Sequence, residues 1–185
     1  MILDHITYFQ NIVVSNIVDG AATNLLHDSF YEIVPSPSEI TNNLPCCTLS
    51  SLVSPPRAVE TDDERIVEET TIRIVKKEYE TTHTYTLKFF SKDIYHHIEN
   101  SDDPDAMKPF VVQVHDYLHN HKHFTKRNGH TVSVRPGIFG YLDDANIIKD
   151  GIYMSYCQVV LTDGLYSERI IPRITDAHFE QGGLY

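Results

Sequence analysis

Positive charge is scarce in this chain of 185 residues: 15 Lys and Arg stand against 26 Asp and Glu, for a formal net charge of −11. Binding nucleic acid through its phosphates takes clustered Lys and Arg. The one short basic run is His121-Lys122-His123-Phe124-Thr125-Lys126-Arg127. A function that rests on phosphate attraction is therefore not expected, although a surface past which DNA slides stays open. Long hydrophobic runs are missing too. None approaches the ~18 consecutive apolar residues of a membrane span, and the opening Met1-Ile2-Leu3-Asp4-His5 has an acid where a secretory signal carries bases. The expectation is an intracellular soluble protein with no membrane partner. Cysteine is limited to the adjacent Cys46 and Cys47 and the distant Cys157. That excludes an even-numbered disulfide framework and a CxxC zinc seed, and leaves buried thiols acting as small apolar side chains. No GxxxxGK[ST] loop and no GxSxG elbow occurs, and no helix follows the glycines at 137 and 140, so a phosphate cradle, a local nucleophile signature and a cofactor are not expected.

What is present is periodicity. Ile2, Leu3, Ile6, Phe9, Val13 and Ile17 recur at helical spacing, predicting a helix over about 2–19 that ends near Gly20. Residues 35–57 are rich in Pro, Ser and Asn around an apolar stretch, 46–53, read as a strand bounded by prolines. From Arg57 to Lys92 Val, Ile, Thr and Tyr dominate, broken by Thr61-Asp62-Asp63-Glu64, read as a turn or hairpin tip. Tyr79, His83, Tyr85, Leu87 and Phe89 share one parity, and Glu80, Thr82, Thr84, Thr86 and Lys88 the other, the pattern of a strand with one face on a core. Ser101-Asp102-Asp103-Pro104-Asp105 reads as a helix cap, with Pro109 marking either a kink or the end of a preceding turn. Phe110, Val111, Val114, Tyr117 and Leu118 then form a helical stripe. Asn128-Gly129 breaks the chain before a strand at 130–134, the segment 135–144 reads as a glycine-punctuated loop with exposed aromatics, and 151–162 reads as a central strand. The sum is an α/β (α+β) fold with a mainly antiparallel sheet and a long β-hairpin, flanked by an N-terminal helix and a second helix. Residues 1–165 form one domain and 166–185 an arm or tail.

Two groups of residues invite a chemical reading. His115 and His119 are four apart and would share a helical face with His121 and His123 following, as metal ligands can. A zincin needs Glu beside the first His, and Asp116 stands there instead, so surface histidines near a helix end, where positive charge suits the dipole, are the simpler reading. A metal-dependent hydrolase using His115, His119 and a carboxylate is the alternative of a different class. The pairs Asp62-Asp63, Asp102-Asp103 and Asp143-Asp144 suit acid–base work or divalent cations, but each falls in an expected turn, where Asp caps and bonds locally.

The order helix, bounded strand, hairpin, helix, strand, loop, strand carries a resemblance in its second half. Thr84-Tyr85-Thr86-Leu87-Lys88-Phe89-Phe90-Ser91-Lys92-Asp93, then Val111-Val112-Gln113-Val114-His115-Asp116-Tyr117-Leu118, then Val132-Ser133-Val134 and the closing strand resemble the neck and tail terminator proteins of tailed bacteriophages over residues of about 79–163. The resemblance implies a non-enzymatic virion protein of the neck or tail, forming a homo-hexameric ring that caps the tail tube protein and joins it to the head connector or head-completion protein. Another connector, head-completion or baseplate component is the nearest alternative. Under this reading Asp62, Asp63 and Glu64, with Phe139, Tyr141, Leu142, Asp143 and Asp144, are expected to face ring neighbours or the channel.

Overall fold

The computed structural model describes residues 2–15, 24–27, 36–59, 64–103, 107–142 and 151–172. Helix α1, Ile2–Ser15, opens the fold, strand β1, Asn24–His27, follows, and helix α2, Pro37–Asn42, precedes strand β2, Cys46–Val53. Strands β3 (Arg57–Ala58) and β4 (Glu64–Val67) lead into the 21-residue β5, Thr71–Ser91. A 3₁₀ turn, Ile94–His96, and helix α3, Phe110–Asn120, separate β5 from β6 (His123–Thr125), β7 (Thr131–Leu142) and β8 (Tyr153–Pro172). Among the described residues these strands form one sheet ordered β1-β2-β5-β8-β7-β6, with β3 and β4 also paired to β5. β1–β2 is parallel, and β2, β3 and β4 on β5, β6 on β7 and β7 on β8 are all antiparallel. This is the expected α+β architecture with a mainly antiparallel sheet and two helices. No described helix is long and apolar enough to cross a membrane.

The core follows from the two periodicities. Thr81, His83, Tyr85, Leu87 and Phe89 of β5 are buried while Thr82, Thr84, Thr86 and Lys88 on the other face are not, because successive side chains of a strand point to opposite faces. Phe9, Ile12 and Val13 of α1 and Phe110, Val111, Val114 and Leu118 of α3 cover that buried face, together with Cys47, Leu49, Val132, Val134, Cys157, Val159 and Leu161. All three cysteines are buried and free. The α1 stripe is rotated from its expected position: it runs through His5, Tyr8, Phe9, Ile12 and Val13, while Leu3 is 71% exposed. A step of 100° per residue puts Leu3 on the far side from the line joining positions 5, 9 and 12.

Several boundaries differ from the sequence expectation for local reasons. Helix α2 arises inside the proline-rich segment from a capping box: Ser36 Oγ accepts from the Glu39 amide, the Glu39 carboxylate accepts from the Ser36 amide at 2.7 Å, and Pro37 takes the first turn. Glu64 begins β4 and pairs with Val75, and the hairpin reverses at Glu68–Thr70, where the Glu68 amide donates to the Thr71 carbonyl at 2.9 Å. Glu64 is thus strand, and Thr61, Asp62 and Asp63 lie outside the described residues. Residues 101–102 form a turn, with the Asp102 amide donating to Asn100 Oδ1, and α3 starts only at Phe110 with Pro109 as its N-cap.

The segment 135–142, read as a loop, is the second half of β7. It stays in the sheet through an irregularity between Pro136 and Phe139 that absorbs a residue mismatch against β8. Gly137 is needed there: an added Cβ would stand 3.0 Å from Gln158 Cβ and 3.1 Å from its carbonyl oxygen. β8 also runs on to Pro172, so residues 166–172 are strand, and 173–185 lie outside the described residues.

By contacts the chain divides into two compact units. Unit one comprises 1–55 and 81–163, and unit two comprises 56–80 and 164–185. Unit one holds the core just described. Unit two contains β3, β4, the first half of β5 and the end of β8, and in it Ile72 and Val75 are buried, whereas Val67, Tyr79 and Ile170 are large apolar side chains left exposed. Arg73 reaches both Glu68 and Glu168 in that unit at the limit of ion-pair distance.

Candidate functional site

The residues expected to face neighbours are only partly brought together. Phe139 lies on β7 and is 45% exposed, its ring centroid 4.9 Å from that of His115 on α3. Tyr141, half-buried, has its ring centroid 6.4 Å from that of His97. Leu142 ends β7 opposite Met154. Glu64 is exposed on β4. Asp143 and Asp144 lie outside the described residues. Ile138, not singled out from the sequence, is 62% exposed on β7 beside Phe139. Residues 139–142 are thus part of a strand rather than of a loop.

His115 and His119 do share a face of α3, their rings nearly parallel with centroids 6.4 Å apart. Asp116 between them is taken by Lys108 Nζ at 2.9 Å, and that hydrogen bond holds its carboxyl below the ordinary value. His121 stacks on Tyr117, with its Nδ1 2.9 Å from the Tyr117 carbonyl oxygen, and His123 turns toward Ser133. Among the described residues no three His, Cys, Asp or Glu side chains are placed to share a cation.

The most concentrated chemistry in unit one is a buried polar cluster. His5 projects from α1, His83 and Tyr85 from β5, Asp163 from β8, and Lys126 from the turn after β6, and all five are buried. Lys126 Nζ donates to both Asp163 oxygens at 2.7 and 3.0 Å. His5 Nδ1 lies 2.8 Å from the Tyr85 hydroxyl, and its Nε2 stands 3.5 Å from Asp163, too long for a full hydrogen bond. The imidazole tautomer protonated at Nε2 serves both contacts, accepting from the phenol and turning its N–H to the carboxylate. His83 meets His5 edge-on at 4.9 Å, and both of its ring nitrogens are buried without a partner.

The electrostatics follow from that arrangement. Burial alone would raise the Asp163 carboxyl, but the His5 and Lys126 contacts outweigh it and hold it at about 2. Burial, then the neighbouring His5, pushes His83 down to about 4 against the pull of Asp163. Burial and the Asp163 charge keep the Tyr85 phenol well above its ordinary range. A third buried histidine, His97, lies outside this cluster; it bonds Ser155 Oγ at 2.7 Å and is pushed down to about 4 by burial and by His96 beside it.

A cleft of about 200 Å³ opens nearby, lined by Asp4, Thr7, Tyr8, Asn11, Phe124, Thr125 and Arg127. None of the five cluster residues is among them, so the cleft does not present their reactive atoms. What the arrangement does chemically is tie the β6–β7 turn to β8 through the Lys126–Asp163 ion pair, and α1 to β5 through the His5–Tyr85 hydrogen bond and the His5–His83 ring contact. One sign of it is legible in His83 on the apolar parity of β5, and a second in His5 on the line of Phe9 and Ile12. Lys126, counted within the one short basic run, is buried.

The chain matches no protein-family model and no curated protein.

Proposed function

We propose that the protein is a structural ring subunit of a tailed-phage neck, tail-terminator-like, which caps the tail tube and connects it to the head. The observation that carries this reading is the length of β5 and β8, 21 and 20 residues, when strands usually run ~5–6. The first half of β5 and the end of β8 belong to unit two, where Val67, Tyr79 and Ile170 stay exposed. A monomer gains little by leaving apolar side chains of such strands in water, whereas a ring covers them with the next subunit. The element order of the resembling family supports the reading, and the buried cluster serves it as a rigid tie rather than a reactive centre.

The test is the mass of the purified protein by light scattering, together with labelled imaging of virions carrying a tagged copy. A hexamer of the 21.2 kDa chain and label confined to the head–tail junction are expected. A monomer at all concentrations, or label on the baseplate, would overturn the assignment. Replacing both Ile138 and Phe139 with Ser is expected to leave the circular dichroism unchanged and to weaken assembly at least ~10-fold, since exposed aromatic and aliphatic anchors carry much of an interface's energy. Normal assembly of that variant would mean these residues lie outside the contact.

The free protein is also expected to show no duplex-DNA binding at neutral pH and physiological salt. At −11 it lacks the cations that phosphate neutralisation takes. A gel shift at micromolar protein checks this, and a salt-sensitive complex would contradict it.

A further inference from the structure

The 26 residues from Tyr117 to Leu142 contain no Asp or Glu and four Lys or Arg, while the other 159 carry 11 basic against 26 acidic residues, net −15. The structure gathers this acid-free stretch at one place in unit one: the end of α3, the short strand β6, its turn, and β7. Lys126 is turned inward to Asp163. Lys122, Arg127 and Arg135 are exposed, with His119, His121 and His123 beside them, and Arg127, 82% exposed, touches only the rim of the Asp4 carboxylate at 3.8 Å.

The same region ends the sheet. β6 covers β7 only from Thr131 to Ser133, with one more bond from the Val134 amide to the Lys122 carbonyl at 2.7 Å. From Arg135 to Gly140, no described strand pairs with the side of β7 facing away from β8. Ile138, 62% exposed, and Phe139 stand on that stretch. An edge that no described strand covers, with apolar residues and basic neighbours, is a template for another chain to pair with. Native edges are commonly blunted by inward charge or a covering loop, and here the charge is positive on a molecule that is otherwise strongly negative.

We infer that this basic β6–β7 edge is the head of a head-to-tail contact whose occupant is the acidic surface of a second copy of the chain. Charge complementarity selects that occupant. Any other surface of a second copy comes from sequence carrying net −15, whereas two basic edges brought together would repel each other. A contact between two different surfaces of the same protein is heterologous and closes into a ring when its rotation permits. The inference rests on the ring reading above and adds the surface and its polarity. It also places this basic edge in subunit contact, away from a DNA path.

The experiment compares the wild-type chain with K122E/R127E/R135E and with the milder K122Q/R127Q/R135Q by light scattering at about 0.1 M and about 1 M salt, where the screening length falls from ~10 to ~3 Å. Circular dichroism checks that each variant keeps its fold. The wild type is expected to assemble at low salt and to weaken at high salt. The Gln variant should lose at least ~10-fold in association and the Glu variant should be monomeric. Rings in the Gln variant and at high salt that match the wild type would overturn this inference alone, even if the Glu variant failed to fold. A wild type that is monomeric throughout would overturn the ring reading and the inference with it. A duplex-DNA gel shift by the wild type that the variants lose would make the edge a nucleic-acid surface and also overturn the inference.

Discussion

Acidification from about pH 7 to about pH 4.5 will cost this protein several kcal/mol of folding stability, and the loss will trace to two buried histidines. His83 and His97 are both held at about 4 in the folded chain, against an ordinary ~6.5 when unfolded. Between those values the unfolded chain binds protons that the folded chain refuses, so stability is fully present above the unfolded value and falls as the pH drops toward 4. A depression of this size corresponds to roughly 3 kcal/mol for each histidine, a large part of the ~5–15 kcal/mol that holds a typical domain folded. Below that range these two groups contribute no further loss. Asp163, held at about 2, then takes over as its carboxylate is forced to accept a proton.

His83→Phe separates the causes. Both ring nitrogens of His83 lack partners, and it lies among Tyr85 and His5 rings, so an apolar ring of similar size removes an unsatisfied group without opening a hole. Guanidinium unfolding at about pH 7 and about pH 4.5 should show the variant at least as stable as the wild type at neutral pH and distinctly less sensitive to acid. An identical pH slope in the two proteins would mean that His83 does not carry the effect.

That histidine marks where the sequence was readable and where it was not. Its burial could be read from the two-residue alternation of β5, and the stripe of α3 was legible for the same reason: a repeating apolar pattern states which face is covered. On α1 the pattern misled, because Leu3 is exposed and the polar His5 lies on the buried line. The turn at Asn128-Gly129 was legible because Gly129, at φ +84°, occupies the left-handed region that glycine enters freely.

The rest needed information from distant parts of the chain. Pro136, Gly137 and Gly140 look like loop residues, yet a strand at the margin of a sheet tolerates proline and glycine because it makes fewer ladder bonds. Here an irregularity against β8 consumes the mismatch. The end of β8, Ser167-Glu168-Arg169, carries no apolar alternation and falls in the stretch expected to be an arm or tail, whereas the strand runs through it to Pro172. Helix α2 had a written start signal in Ser36-Pro37-Ser38-Glu39, obscured by the prolines around it. The buried cluster was the least legible feature. Lys126 and Asp163 are 37 residues apart, neither lies in a motif, and Lys126 sits between charged or polar neighbours that are exposed. A lysine in such a run is ordinarily at the surface, and only the sheet order reveals its partner.

That pair gives the second large effect. Lys126→Met will destabilise the protein by about 3–5 kcal/mol, because it removes one half of a buried ion pair and leaves the other uncompensated. Asp163 is wholly buried, and its two oxygens are held by Lys126 at 2.7 and 3.0 Å, with His5 Nε2 farther off at 3.5 Å. With the ammonium gone, burial is opposed only by the His5 contact, so the carboxyl must rise from about 2. A folded value raised above the ordinary carboxylate range makes the variant's stability fall as pH rises through that range, whereas the wild type's, with Asp163 held low, falls as pH drops through it. Lys126→Met combined with Asp163→Leu removes both charges, and much of the lost stability should return, since apolar replacement of a buried pair is often neutral or better. The measurement is a double-mutant cycle in guanidinium at about pH 7, with near-ultraviolet circular dichroism reporting the packing of Tyr85 and Tyr8 around His5. A Lys126→Met variant that loses less than ~1 kcal/mol, within the range of an exposed ion pair, would show that the pair is hydrated in solution and does not tie the β6–β7 turn to β8. A double variant as unstable as the single one would show instead that the pair's geometry, and not its charge balance, is what the packing there needs.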